Sequence, residues 1–244
     1  MGLLLGASST AYADAISSTQ VTFSNLQIVP TSGTVVFSTP TFGSPTSASG
    51  AAVNSLDEED GQLVQDPTHS EAGVSITFAN AGGVSDLASF TLNANTNVTL
   101  SGCICSAETE GLAMIRQSFM IVGGSGNVDV TLSAVMQSIQ NLITDQFSLG
   151  AASEARFFVS ILDVESFSFD SQLRIIGPNG LTNLEMQRQL SEVITLQFGQ
   201  QYNLLVSIGA ISRATQNEVP EPATMVLLVS GLGFMAAVVR KRRR

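Results

Sequence analysis

Between Gln20 and Ser212 apolar and polar side chains alternate over stretch after stretch, the pattern of strands that bury one face. Phe167, Phe169, Leu173 and Ile175 interleave with Ser168, Asp170, Gln172 and Arg174, and Tyr202, Leu204, Val206, Ile208 and Ala210 make a second such row. Ile194, Leu196 and Phe198 form a third row that runs into Gly199-Gln200-Gln201, which predicts a hairpin joining the last two strands. Further strands are predicted over Val21 to Val29, Thr34 to Ser38, Val74 to Ala79, Ala88 to Leu92, Asn97 to Leu100, Leu112 to Val122 and Ala155 to Leu162. Glycine and asparagine clusters at Asn80-Ala81-Gly82-Gly83, Gly123-Gly124-Ser125-Gly126-Asn127 and Gly177-Pro178-Asn179-Gly180 supply turns between them. About ten strands with polar turns and no βαβ rhythm predict an all-β fold, an antiparallel β-sandwich of jelly-roll-like kind over residues 14–212.

One segment carries both periods. Leu132, Val135, Met136, Ile139, Leu142 and Ile143 fall at helical spacing, while Val128, Val130, Leu132, Ala134 and Met136 alternate. The β character of its neighbours favours two strands there. Thr39 to Ala51, rich in Ser, Thr, Pro and Gly, leads into Leu56-Asp57-Glu58-Glu59-Asp60-Gly61 and is expected to form the longest loop. Residues 213–218 are expected to be a linker, and the absence of an internal repeat disfavours a solenoid or propeller.

Composition sharpens this picture. Only 12% of the residues are charged and 21 are glycine, a profile closer to exported β proteins than to a cytosolic enzyme. Five of the ten basic residues are the terminal run Arg240 to Arg244, so the net charge of −10 understates the acidity of the body. From Asp14 to Pro220 there are nineteen acids against five arginines and no lysine, a field that repels phosphate and argues against nucleic acid as a partner.

Both ends carry targeting features. Leu3 to Leu5 followed by Ala11-Tyr12-Ala13 fits a small-x-small signal-peptidase site, with cleavage expected after Ala13, so residues 1–13 are read as the remnant of a secretory signal. A basic n-region and most of the apolar h-region are missing, which places the expected start upstream of Met1. At the other end Met225 to Val239 is uncharged; with Ala223 and Thr224 it makes about 25 Å of helix, slightly short of a ~30 Å hydrocarbon core. Arg240, Lys241, Arg242, Arg243 and Arg244 would stay cytoplasmic and leave the body on the opposite side of that membrane. Ahead of the helix, Pro220, Glu221 and Pro222 hold the chain extended and open to a protease, because proline fixes its own φ and biases the residue before it away from helix.

The order Val219-Pro220-Glu221-Pro222-Ala223-Thr224, apolar helix, basic run resembles the PEP-CTERM sorting domain of exopolysaccharide-producing Gram-negative bacteria, over residues 219–244 only. That resemblance implies recognition by an exosortase, an integral-membrane enzyme that cuts near the motif. It also implies a membrane-anchored precursor and delivery to the cell surface or extracellular matrix, with exopolysaccharide as an expected partner.

Little in the body points to chemistry. The lone histidine, His69, supplies neither a multi-histidine metal site nor a triad, and is expected to be an exposed loop imidazole. Asp57, Glu58, Glu59 and Asp60 are hard oxygen ligands of the type that suits Ca²⁺. Their spacing matches neither an EF-hand nor a nonapeptide repeat, so a solvated charge run is expected. Cys103 and Cys105, in a strand, would share a face about 6.6 Å apart, near the upper limit for a disulfide; a strained local disulfide and two buried thiols both fit. No cofactor motif is present. With no Trp, and Tyr202 placed in the core by alternation, the aromatic platform of most sugar-binding sandwiches is lacking. A non-enzymatic surface or matrix protein is the expected role, with a glycan-binding adhesin and an extracellular hydrolase as alternatives.

Overall fold

The computed structural model describes residues 14–39, 44–53, 58–66, 69–101, 105–145, 148–162 and 164–216. Among them run thirteen strands: β1 (Asp14–Pro30), β2 (Thr34–Phe37), β3 (Ser44–Val53), β4 (Glu58–Asp66), β5 (His69–Ile76), β6 (Ala79–Asp86), β7 (Thr91–Ser101), β8 (Cys105–Val122), β9 (Asn127–Thr144), β10 (Ser148–Ile161), β11 (Glu165–Ile176), β12 (Leu181–Gln197) and β13 (Gln201–Gln216). They form two sheets, ordered β12-β9-β1-β7-β6-β5 and β11-β10-β13-β8-β3-β4, with β2 also paired to β8. Every pairing is antiparallel.

Much of the molecule is one long hairpin ribbon rolled on itself. From the connection between β10 and β11, partners march outward in near-constant register: Gly150 opposite Ile176, then Ile143 opposite Leu181, Asn127 opposite Gln197, Met120 opposite Gln201 and Cys105 opposite Gln216. Each time the ribbon turns a corner it passes from one sheet to the other. β1 fills the remaining slot between β9 and β7.

Alternation is strict where the ribbon is longest. Along β9 every second residue from Val128 to Thr144 is buried, so the segment with two periods is one unbroken strand rather than a helix or two strands. Val135, Ile139 and Ile143 face outward, which is the price of its helical-looking spacing. Between the sheets, Phe23, Leu92, Ile115, Phe119, Ile121, Leu132, Ile161, Leu204 and Ile208 make the main core, each such burial contributing about 1.5–3 kcal/mol. Tyr202 is buried as its alternation predicts, and its hydroxyl oxygen accepts a bond from the Gln197 N–H at 2.7 Å.

Several expectations are corrected. The last two strands are not a hairpin: β12 pairs with β9 and β13 with β8 and β10, so residues 198–200 carry the chain between sheets. Thr39 to Ala51 is not one long loop, because residues 44–51 belong to β3, and the acidic segment enters β4 at Glu58. Asn80 to Gly83 lie inside β6 rather than in a turn, whereas the turn falls at residues 87–90, where a strand is predicted from Ala88. Residues 213–216 of the expected linker continue β13.

A narrow gap between the sheets explains the misplaced turns. A Cβ at Gly83 would lie 2.6 Å from the Leu112 carbonyl oxygen and 2.7 Å from Thr46 Cγ2, and one at Gly111 would lie 2.5 Å from the Gly82 carbonyl oxygen. Backbone approaches backbone there, so the inner positions of β3 and β6 nearest the contact are small, and Val74 and Ile76 fill the space beside them. Thr46 fills the gap with polar contacts, bonding to Ser85 Oγ at 3.1 Å.

Candidate functional site

The described chain ends at Gln216, a buried residue at the end of β13 that pairs with Cys105 on one side and Ser148 on the other. The sorting tail therefore leaves from one defined end of the sandwich. Pro220, Glu221, Pro222, the segment Met225 to Val239 and the basic run Arg240 to Arg244 lie outside the described residues, as do Ala11 and Ala13. β1 begins at Asp14, the residue after the expected signal cut, with its partner at Ser101. Cys105 is buried and disulfide-bonded, while Cys103 lies outside the described residues.

In the acidic run, Asp57 lies outside the described residues and Glu58 to Asp60 open β4, opposite Ala52 to Gly50 of β3. Successive strand residues face opposite sides, so Glu59 and Asp60 diverge, and both are exposed. The Asp60 carboxylate accepts the Gly61 N–H at 2.8 Å. Among the described residues no three His, Cys, Asp or Glu side chains are grouped to hold a metal. His69 is exposed at the first residue of β5 rather than in a loop, its backbone N–H donating to Asp66 Oδ1 at 2.9 Å.

The outer face of the β11-β10-β13-β8 sheet carries a set of ion pairs. Arg156 reaches Glu154 at 2.6 Å and Glu110 at 3.8 Å, and Arg213 reaches Glu108 at 2.7 Å. The Glu154 hydrogen bond holds the Arg156 guanidinium above its ordinary pKa, and the Glu108 bond does the same for Arg213. Two hollows open beside these pairs. One, of about 530 Å³, runs along β10, β11 and β13 and includes Glu154, Arg174 and Arg213. The other, of about 200 Å³, lies at Gly209 among Glu110, Arg156 and Asp170.

The outer face of the other sheet is built differently. Asn183, Asn141, Ser18, Asn97, Asn80 and Ser75 stand directly opposite one another across all six strands, forming an uncharged polar row. Strand spacing of about 4.8 Å makes it a regular array of groups that both donate and accept. Gln187, Gln137, Thr22 and Asn93 begin a parallel row four residues away along each strand. The amides are engaged only by long bonds, Asn141 Nδ2 donating to the Ser18 hydroxyl at 3.5 Å and Gln137 Nε2 to the Glu185 carboxylate at 3.3 Å. Sequence reasoning passed over this face. Its one local signal is Asn93, Asn95 and Asn97 at period two.

Comparison with known families decides the identity of the tail. Residues 218–244 match the family model of the PEP-CTERM protein-sorting motif. The chain thus ends in a PEP-CTERM sorting segment, which implies an exported, membrane-anchored precursor recognised and processed by an exosortase. Its match begins at Glu218, two residues beyond the last residue of β13. Neither the curated proteins nor the solved structures gave a match to the chain.

Proposed function

We propose that this protein is a non-enzymatic surface or extracellular-matrix component of an exopolysaccharide-producing Gram-negative bacterium. On this reading a signal peptide directs its export, and a transmembrane helix at Met225 to Val239 holds it in the inner membrane. An exosortase then releases the jelly-roll-like sandwich. The observation that carries the reading is the PEP-CTERM match at the C-terminus, adjoining a body whose described strands run to Gln216. Support for a non-enzymatic body comes from the acids beside the hollows, where Glu108, Glu110 and Glu154 are engaged by arginine. A carboxylate so engaged is already occupied by a guanidinium rather than directed at an open hollow.

The test is Glu221→Ala with Pro222→Ala, which leaves the hydropathy of the following helix intact. In a host with an exosortase, the altered precursor should accumulate in the inner membrane with Arg240 to Arg244 attached, while the parent's mature surface form lacks Met225 to Arg244. Mass spectrometry that finds that segment on the parent's mature surface form would reject the sorting role.

A second reading, a glycan-binding adhesin, is favoured by the amide row across the six-stranded sheet. Amides satisfy hydroxyl groups in both senses without an aromatic platform. Pull-down on neutral polysaccharides tests it: Asn97→Asp with Asn141→Asp should weaken retention, and retention equal to that of the parent would discard that face.

A further inference from the structure

We propose that the corner built by Leu149, Ile176 and Leu181 seats on the bilayer surface while the precursor is anchored, so that the body stands on the end from which its sorting tail leaves. This rests on the reading of Met225 to Val239 as a membrane anchor.

Ile176 and Leu181, at 76% and 79% exposure, are the most exposed large apolar side chains among the described residues. Leu149 and Ile143 add to the same patch at 48% and 38%. All four sit at one corner of the fold, Leu181 and Ile143 on the outer face of the six-stranded sheet and Ile176 on that of the other sheet. Ile176 stands opposite Gly150, beside Leu149, and Leu181 stands opposite Ile143. The connecting turn is pinned on both sides, with Gly177 N–H donating to the Leu149 carbonyl at 2.9 Å and Thr144 N–H to the Gly180 carbonyl at 2.8 Å. Asn179 takes a φ of +58° there, a left-handed conformation that asparagine tolerates. These residues are thus held out toward solvent on pinned backbone, and large exposed apolar side chains gathered around one corner mark a contact surface.

The position of the exit names the occupant. Gln216 pairs with Ser148, next to Leu149, and two strand spacings of about 4.8 Å reach the strand that carries Ile176. From Gln216 the apolar segment begins nine residues on, at Met225, a tether of no more than about 32 Å even when fully extended. Strands of this body run to 18 residues, about 60 Å. The end bearing the corner is therefore confined near the lipid, and the far end is not. A tether this short holds the patch at an effective concentration in the millimolar range, so modest apolar contact suffices. Charge does not supply the attraction, since the body is acidic and anionic headgroups would repel it.

The far end offers an internal control, because Val164 and Leu162 are also exposed there, at 39% and 45%. If exposure alone led to lipid contact, both ends would engage. The experiment uses the full chain reconstituted in phosphatidylcholine vesicles, with an environment-sensitive fluorophore on Leu181→Cys or, separately, on Val164→Cys. Among the described residues no free cysteine competes for the label. Flotation with the vesicles checks the anchor on its own. The label at 181 should shift to the blue and be quenched by nitroxide lipids carrying the spin label at the headgroup–acyl boundary, the depth of about 5–10 Å at which interfacial apolar groups insert. The label at 164 should show neither effect, and adding Ile176→Glu should reduce the quenching at 181. Equal quenching at both sites, or none at 181 in vesicles that carry the floated chain, would overturn the seat and leave the anchor standing. Failure to float would remove the anchor and the seat together.

Discussion

Ser212 offers a sharp test of how the two sheets are held together at their polar end. It is fully buried on β13 and lies 3.1 Å from Thr19 Oγ1 of β1 and 2.8 Å from Thr96 Oγ1 of β7, both in the opposite sheet. The Thr19 hydroxyl already donates to the Ile211 carbonyl at 2.9 Å. Each hydroxyl has one proton, so Ser212 must donate to Thr19 and Thr96 must donate to Ser212, giving a one-way chain from Thr96 to the Ile211 carbonyl. Ser212→Ala therefore leaves one buried donor, that of Thr96, without an acceptor, while Thr19 keeps its own bond. An orphaned buried hydroxyl costs about 1–3 kcal/mol, and a loss of ~2 kcal/mol lowers Tm by roughly 4–8 °C in a domain of this size. Adding Thr96→Val removes the orphan, so the double variant should recover part of that loss and show a coupling of about 1 kcal/mol or more. Thermal and urea unfolding of the four forms, followed by circular dichroism in detergent, read both quantities. A Tm within about 1 °C of the parent for Ser212→Ala, or additivity within about 0.3 kcal/mol across the cycle, would refute the chain.

Three further outcomes follow from other parts of the fold. Gly111→Ala should lower the urea midpoint by the equivalent of at least ~1–3 kcal/mol, because the new methyl would meet the Gly82 and Asn95 carbonyl oxygens at 2.5 and 3.0 Å; an unchanged midpoint would mean the sheets are not pinched there. Arg213→Gln should cost no more than ~1 kcal/mol, since both partners of the Glu108 pair are about half exposed. Because the folded-state pKa of Arg213 is raised, its share of that stability is present at every pH below the unfolded guanidinium value and is lost only as pH rises through the folded one. The arginine's part of the difference between variant and parent should thus stay flat across neutral pH, and a Tm series that shows it collapsing at mildly alkaline pH would contradict the pairing. Millimolar Ca²⁺ should leave Tm within about 1 °C, as Glu59 and Asp60 diverge on β4; a rise above about 5 °C would reveal a site.

The strands that were legible in the sequence are those whose inner face is large and apolar. Tyr202, Leu204, Val206 and Ile208 announce β13, and Ile115, Phe119 and Ile121 announce β8, because a wide gap between the sheets must be filled by bulk. Where the sheets pinch, the inner residues shrink to Thr46, Ala48 and Gly50 on β3 and to Ala81 and Gly83 on β6, and the same strand geometry reads as a loop or a turn. Between the main core and a small apolar cluster at the exit end the inside becomes polar instead, with Ser17, Thr19, Ser138, Gln140, Ser171 and Ser212 buried, so alternation persists without its hydrophobic signature. Gln140 and Ser171 satisfy each other across the gap, Ser171 Oγ donating to Gln140 Oε1 at 2.8 Å and Gln140 Nε2 to the Ser171 carbonyl at 3.2 Å. The false hairpin has a related cause: a short turn joins adjacent strands and rolled corners equally well, and only long-range pairing with β8 and β9 separates the two. The tail was legible for the opposite reason, since its motif, apolar run and cations are consecutive and need no partner to be recognised.

Strand order also bears on when the body can close relative to the tail. β13, the last strand, is not an edge but lies between β10 and β8, and it contributes Leu204, Val206 and Ile208 to the main core. Until it arrives, β8 and β10 present unpaired edges to one another and the core lacks part of its floor. A chain that crosses the membrane from its N-terminus can assemble local pairs such as β5 with β6 and β10 with β11 early, because their partners are near in sequence. Insertion of β13 must wait for Gln216 to emerge, and residue 218, where the sorting motif begins, follows directly. Closure of the sandwich and arrival of the motif at the membrane are thus nearly one event. Among the described residues the pairs nearest the motif are those of Gln216 with Cys105 and Ser148, which precede its start. A cut within residues 218–244 then leaves every pair of the described strands in place.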